Sequence, residues 1–168
     1  MKIDSFIKKE KARFKKLCSK KRQTGFGSTS KFVEWATNAL ISQKFGCYYC
    51  NTSIFDIKLL INKSKLKRRK IGHGFRGPVL EVDKMRNSLG YSAKNCVLSC
   101  HYCNNDKSYT TDSTDYKTHF GKNRRKYLKT LLKMLPIRIV RDHCDHLTTV
   151  GHWLWRHRQQ SDITNNLH

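Results

Sequence analysis

Four of the seven cysteines form two C-x-x-C pairs, Cys47-Tyr48-Tyr49-Cys50 and Cys100-His101-Tyr102-Cys103. A tight turn of this kind presents two thiolates to one tetrahedral ion, and two such pairs complete a four-thiolate zinc site. Asp83 follows a short apolar run, Asn95 closes the polar stretch after it, and Asn104 comes directly after Cys103. A strand carboxylate and an amide oxygen from a facing helix can bind one hard divalent cation while leaving positions for phosphate oxygens and water. Cys96, in Cys96-Val97-Leu98-Ser99, suits a buried strand, and Cys18 sits among basic residues without a neighbour of its kind. Cys144, near His143, His146, His152 and His157, makes a second metal site conceivable, though its spacing fits no common ligand pattern.

These residues need elements to hold them. Val79 to Lys84 reads as a strand, Met85 to Asn95 as a long loop, Cys96 to Ser99 as a second strand, and His101 to the Tyr109 region as a helix. That order places the second cysteine pair just before and within the first helical turn, so a bound zinc would fix the helix carrying Asn104. Upstream, apolar residues from Phe32 to Ile41 recur at helical spacing, with Ser30 as N-cap and Gly46 after the end. Ile54 to Ile61 fits a strand or short helix, and Asn62 to Lys70 is a charge run suited to phosphates. Gly72 to Pro78 reads as a loop or bulge, Thr24 to Ser30 as a flexible break, and Gly121 to Leu135 as a basic helix ended by Pro136. The expected organisation is a basic N-terminal arm over 1–30, a zinc-bound core over 31–120 and a basic helical extension over 121–168 that includes Trp153 and Trp155.

The 168 residues carry 35 Lys and Arg against 12 Asp and Glu, a net charge of +23. A charge of that size draws polyanions, and nucleic acid is the leading partner. No apolar run approaches the 18 to 20 residues needed to span a bilayer. The first 22 residues are studded with Lys and Arg and lack a signal-peptide core, so a cytoplasmic location and no membrane partner are expected. The odd cysteine count in such a chain argues against a secreted disulfide framework.

Taken together, Cys47-x-x-Cys50 and the series Val82-Asp83-Lys84, Gly90-Tyr91, Asn95-Cys96-Val97-Leu98-Ser99-Cys100-x-x-Cys103-Asn104-x-x-Lys107-Ser108 resemble the HNH or ββα-metal nucleases. Within that group the likeness is greatest to the PacI-type restriction endonucleases, over roughly residues 30–110. The resemblance implies an α+β fold with a small zinc-braced ββα core, flanking helices and basic extensions. It implies hydrolysis of phosphodiester bonds in double-stranded DNA with one Mg²⁺ or Mn²⁺. It also assigns Asp83 and Asn104 as ligands of that cation, Asn95 as the asparagine bracing the loop, and the four cysteines as holders of a structural zinc.

One position departs from the pattern. Where most of the family has a histidine that activates the attacking water, this chain has Lys84, a poor general base better suited to phosphate or developing charge. Two other residues are candidate bases. Tyr49 matches a tyrosine of PacI-like knuckles, and His73 has the appropriate intrinsic pKa. Arg68, Arg69, Lys70, Arg76, Arg86 and Lys107 are the expected DNA contacts. A restriction-type enzyme making double-strand cuts would be a homodimer, since two-fold protein symmetry matches a palindrome. The alternatives are a homing or phage-type nicking enzyme and a non-catalytic zinc-stabilised nucleic-acid binder.

Overall fold

The computed structural model describes residues 3–72, 74–108 and 111–136. Three helices come first: α1 (Ile3–Leu17), α2 (Lys20–Phe26) and α3 (Thr29–Ser42). The apolar residues of α1 recur on one face, which buries Ile3, Ile7 and Phe14, while its lysines stay exposed. Phe14 meets Phe32 edge-on, and Phe26 packs on both Phe32 and Trp35, so an aromatic cluster joins the three helices. Burying each fully enclosed ring contributes about 2 to 3 kcal/mol. Arg13 of α1 also donates to the carbonyl of Leu80, 67 residues away.

The N-terminal segment is therefore part of the core and not a separate arm, and a boundary at residue 30 falls inside α3. The expected break at Thr24–Ser30 shrinks to Gly27 and Ser28. Gly27 ends α2 in the left-handed region at φ 81°, and Ser28 caps α3 by accepting from the Lys31 amide. Gly25 is needed for a different reason. A Cβ there would lie 1.7 Å from the carbonyl oxygen of Tyr91, so its bareness lets α2 touch the loop that follows Asp83.

After α3 comes the first cysteine pair and then α4 (Ile54–Asn62), capped by Ser53. Two short antiparallel strands, β1 (Arg69–Ile71) and β2 (Gly74–Arg76), form a ribbon where the sequence reads as charge run and loop. Pairing decides this, since three cross-strand pairs from Arg69↔Arg76 to Ile71↔Gly74 satisfy a backbone that the basic composition alone does not mark as strand. β3 (Leu80–Lys84) and β4 (Cys96–Cys100) pair antiparallel from Leu80↔Cys100 to Lys84↔Cys96. β4 runs directly into α5 (His101–Lys107), and the chain continues through α6 (Ser113–Asp115), a π-helical turn (Tyr116–Gly121) and α7 (Lys122–Lys133). The architecture is the expected α+β arrangement, with a small ββα unit (β3, β4, α5) among flanking helices. No described helix is long and apolar enough to cross a membrane.

Candidate functional site

Residues opposite one another in the β3–β4 ladder share a face. Leu80, Val82, Leu98 and Cys96 lie on one face, all buried, while Glu81, Asp83, Val97 and Ser99 lie on the other. α5 crosses the second face. Asn104 Nδ2 donates to Glu81 Oε2 at 2.8 Å, and one turn later Lys107 Nζ lies 3.4 Å from Asp83 Oδ2 and donates to the Lys84 carbonyl at 3.1 Å. The strand alternation and the i, i+3 helical spacing thus bring Glu81, Asp83, Asn104 and Lys107 together.

The cysteine pairs frame this unit. The Sγ atoms of Cys47, Cys50, Cys100 and Cys103 all lie within 4.8 Å of one another, and all four residues are buried. Sulfurs at about 2.3 Å from a tetrahedral zinc stand about 3.8 Å apart, so the cluster needs only a small contraction to fit the ion. Its protonation agrees with that need. The Cys50 thiol is held far below its ordinary value by hydrogen bonds from Cys100, Cys103 and Cys47, while the same contacts push Cys100 up. Thiolates packed this closely repel one another, and a bound cation would offset that repulsion. Cys100 ends β4 and caps α5, and Cys103 sits in its first turn, so the second pair joins strand to helix.

The first pair is docked on β4 by its backbone and by Gln43. The Tyr48 amide donates to the Leu98 carbonyl, Gln43 Nε2 donates to the carbonyls of Gly46 and Leu98, and Gln43 Oε1 accepts from the Leu98 amide. This docking carries Tyr49 to the face of the ladder that bears Asp83, where its hydroxyl donates to Asp83 Oδ2 at 2.6 Å and lies 3.3 Å from Ser113 Oγ. Burial, then the Asp83 hydrogen bond, pushes the Tyr49 phenol well above its usual range. Burial also raises Asp83, against the opposing pull of Tyr49 and Lys107. Gly121 lets the later helices close on this knuckle, because a Cβ there would lie 2.5 Å from the Tyr49 carbonyl oxygen.

The other sequence candidates separate. Asn95 is buried and ties both ends of the 85–95 loop: Oδ1 accepts from the Arg86 amide, and Nδ2 donates to the carbonyls of Arg86 and Gly90. Lys84 turns its ammonium to the Asn87 carbonyl and the Tyr91 ring. Arg86 is exposed and lines a cleft of about 590 Å³ beside the site, shared with Tyr48, Tyr91 and Ser113. Arg68 and Lys70 are exposed near and on the ribbon, Arg69 is on β1, and Arg76 pairs with Glu81 at 3.0 Å. His73 and the Cys144 cluster lie outside the described residues.

Lys107 is a correction. It was expected to touch DNA, yet its side chain is 0% exposed, because α5 lies across the sheet and turns this residue inward onto Asp83. Removing one member of a buried ion pair leaves the other uncompensated. Lys107→Met is therefore expected to lower stability by about 3 kcal/mol in urea unfolding, while leaving the salt dependence of duplex binding unchanged.

Glu81, Gln43 and Ser113 were absent from the sequence reading. Glu81 had a usable signal, since it lies two residues before Asp83 on a strand and so shares its face. Gln43 and Ser113 had none, as their roles depend on contacts across 55 and 64 residues.

No family model matches the sequence, nor does any curated protein. One solved structure is similar to this chain, that of the rare-cutting HNH restriction endonuclease PacI. The identity is 25%, with 60% of this chain and 63% of that chain covered and a TM-score of 0.48. The match thus spans less than two thirds of that protein.

Proposed function

We propose that this protein is a divalent-cation-dependent DNA endonuclease whose ββα unit is braced by a structural zinc at Cys47, Cys50, Cys100 and Cys103. The observation that carries the reading is Asp83: a buried carboxylate at the end of β3, touched by Tyr49 and Lys107, beneath the helix that presents Asn104. The HNH-like motif in the sequence supports it.

The donor set suits a hard cation. Asp83 offers a carboxylate, and Asn104 spends its Nδ2 on Glu81 and keeps Oδ1 as an acceptor. Asp83 and Asn104 would hold Mg²⁺ or Mn²⁺, which when bound polarises a phosphoryl oxygen and acidifies water. The chain's own residues do the positioning. Lys107 and Tyr49 fix the Asp83 carboxylate, Glu81 orients the Asn104 amide, and Asn95 holds the loop whose Arg86 faces the cleft. Tyr49 is the hydroxyl on the carboxylate; its phenol, raised by burial and by Asp83, becomes the leading candidate to handle the proton of the attacking group once a cation at Asp83 offsets that carboxylate's charge. The excess of Lys and Arg supplies phosphate contacts along a duplex.

Supercoiled plasmid incubated with wild-type protein and Mg²⁺ or Mn²⁺ tests the reading. Metal-dependent relaxed or linear product is expected, and linear product arising without a relaxed intermediate marks the double-strand cutter. No cleavage with either metal on mixed-sequence DNA would overturn it in favour of a zinc-braced binder. Tyr49→Phe is expected to cost about 1 kcal/mol in stability, one hydrogen bond, and on the order of 10² to 10³ in single-turnover cleavage. A comparable loss in His73→Ala with full activity in Tyr49→Phe would move the proton role to His73.

A further inference from the structure

Between Asn62 and Pro78 the chain carries seven Lys and Arg and no Asp or Glu, and the β1–β2 ribbon rises from the middle of that stretch. Among the described residues the ribbon strands make their extensive contacts only with one another. The ribbon is anchored at its root instead. Tyr102 of α5 donates to the Lys67 carbonyl at 2.9 Å, and Arg76 pairs with Glu81 of β3. Lys70 and Phe75 are directly opposed, so they share a face, and Arg76 belongs to the other. That leaves an unusual aromatic in the open. Phe75 is 58% exposed, with the Arg68 guanidinium 4.9 Å above its ring.

We propose that this ribbon is the element that enters the major groove of duplex DNA, with Lys70 and Arg68 on the phosphates and Phe75 against base edges. The proposal rests on the endonuclease reading above for its choice of substrate. A two-stranded ribbon fits the major groove, which is about 12 Å wide, and an apolar side chain there meets the methyl groups of thymine. A run of seven cations with no acidic residue of its own, of which Arg76 is paired with Glu81, opposes a second copy of this basic chain on the same face and favours a polyanion. Anchoring through Arg76, Glu81 and Asn104 places the ribbon's root on side chains of the candidate metal site.

The test uses full-length protein and a fluorescent mixed-sequence duplex pool, with Ca²⁺ replacing Mg²⁺ so that binding is read without turnover. Affinity is followed from 50 to 300 mM salt for wild type, the double variant R68A/K70A and Phe75→Ala, with thermal unfolding of each. Because these side chains are exposed, unfolding temperatures should match wild type. R68A/K70A is expected to flatten the log–log salt slope by about 2, the loss of two phosphate contacts. Phe75→Ala is expected to weaken binding with the slope unchanged, and duplex bearing bulky 5-substituted pyrimidines, which fill the major groove, to compete poorly.

Unchanged slope and affinity in both variants would overturn the proposal, and undiminished binding to the bulky duplex would overturn the groove assignment. A wild type that binds in this manner yet cuts no DNA would sink the endonuclease reading and leave the ribbon proposal standing. Cleavage and binding at wild-type levels by both variants would do the reverse. A wild type that binds no duplex defeats both.

Discussion

Asp83→Ala is expected to reduce metal-dependent plasmid cleavage by at least about 10³-fold, the scale of removing a ligand and electrostatic partner from a phosphoryl site. Asn104→Ala should fall in the same range. Duplex binding should persist in both, because neither residue belongs to the exposed cations. The geometry also predicts that the two substitutions differ in stability. Asp83 is buried on Tyr49 and Lys107, so its removal strands a fully enclosed ammonium, and Asp83→Ala should unfold more readily than wild type. Asn104 is half-buried and joined to the sheet by its bond to Glu81, so Asn104→Ala should be nearly as stable as wild type. Single-turnover cleavage, duplex affinity and urea unfolding on the same preparations separate these effects. Full cleavage by both variants would sink the assignment of the cation site.

Cys100→Ser is expected to have the largest effect on folding. Wild-type protein should carry one zinc per chain by elemental analysis, and the variant much less than one. A structural zinc contributes on the order of 10 kcal/mol in small domains, and even a fraction of that is comparable to the whole stability of a chain this size. The damage should be uneven. The cluster of Phe14, Phe26, Phe32 and Trp35 packs the first three helices independently of the sulfurs, so helical far-ultraviolet signal should survive in part. β4, α5 and the Tyr49 knuckle meet at the cysteines, so cleavage should vanish and amide exchange around 96–107 should quicken. Retained zinc and cooperative unfolding in this variant would remove the clamp from the account.

The parts legible in the sequence were those with local signals. The C-x-x-C spacing disclosed the four-sulfur cluster because both cysteines of each pair lie within one turn, and strand alternation with apolar content disclosed β3 and β4. Asp83 and Asn104 could be nominated as cation ligands because each sits at a fixed offset from one of these signals. The ribbon was missed because Arg69 to Arg76 reads as charge and glycine, and pairing between strands is a property of two segments at once. Lys107 was misplaced for a related reason. A lone Lys on a short helix is more often exposed, and only the crossing of α5 over Asp83 turns it inward. The N-terminal segment reads as a short amphipathic basic helix or an arm that orders on a partner, because its few apolar residues are interspersed with lysines. Burial depends on which face those few apolar residues share.

The clamp also governs what would happen if the chain were cut. Its two cysteine pairs bracket residues 51–99, so a zinc bound there would close α4, the ribbon and β3 into one loop through metal–sulfur bonds. A protease cutting between β1 and β2 would leave two fragments joined by a zinc bound at the cysteines, by the docking of Tyr48 and Gln43 on β4 and by the Arg13 bond to Leu80. The nicked protein is expected to sediment as one particle, and to separate only when a chelator and a denaturant are applied together.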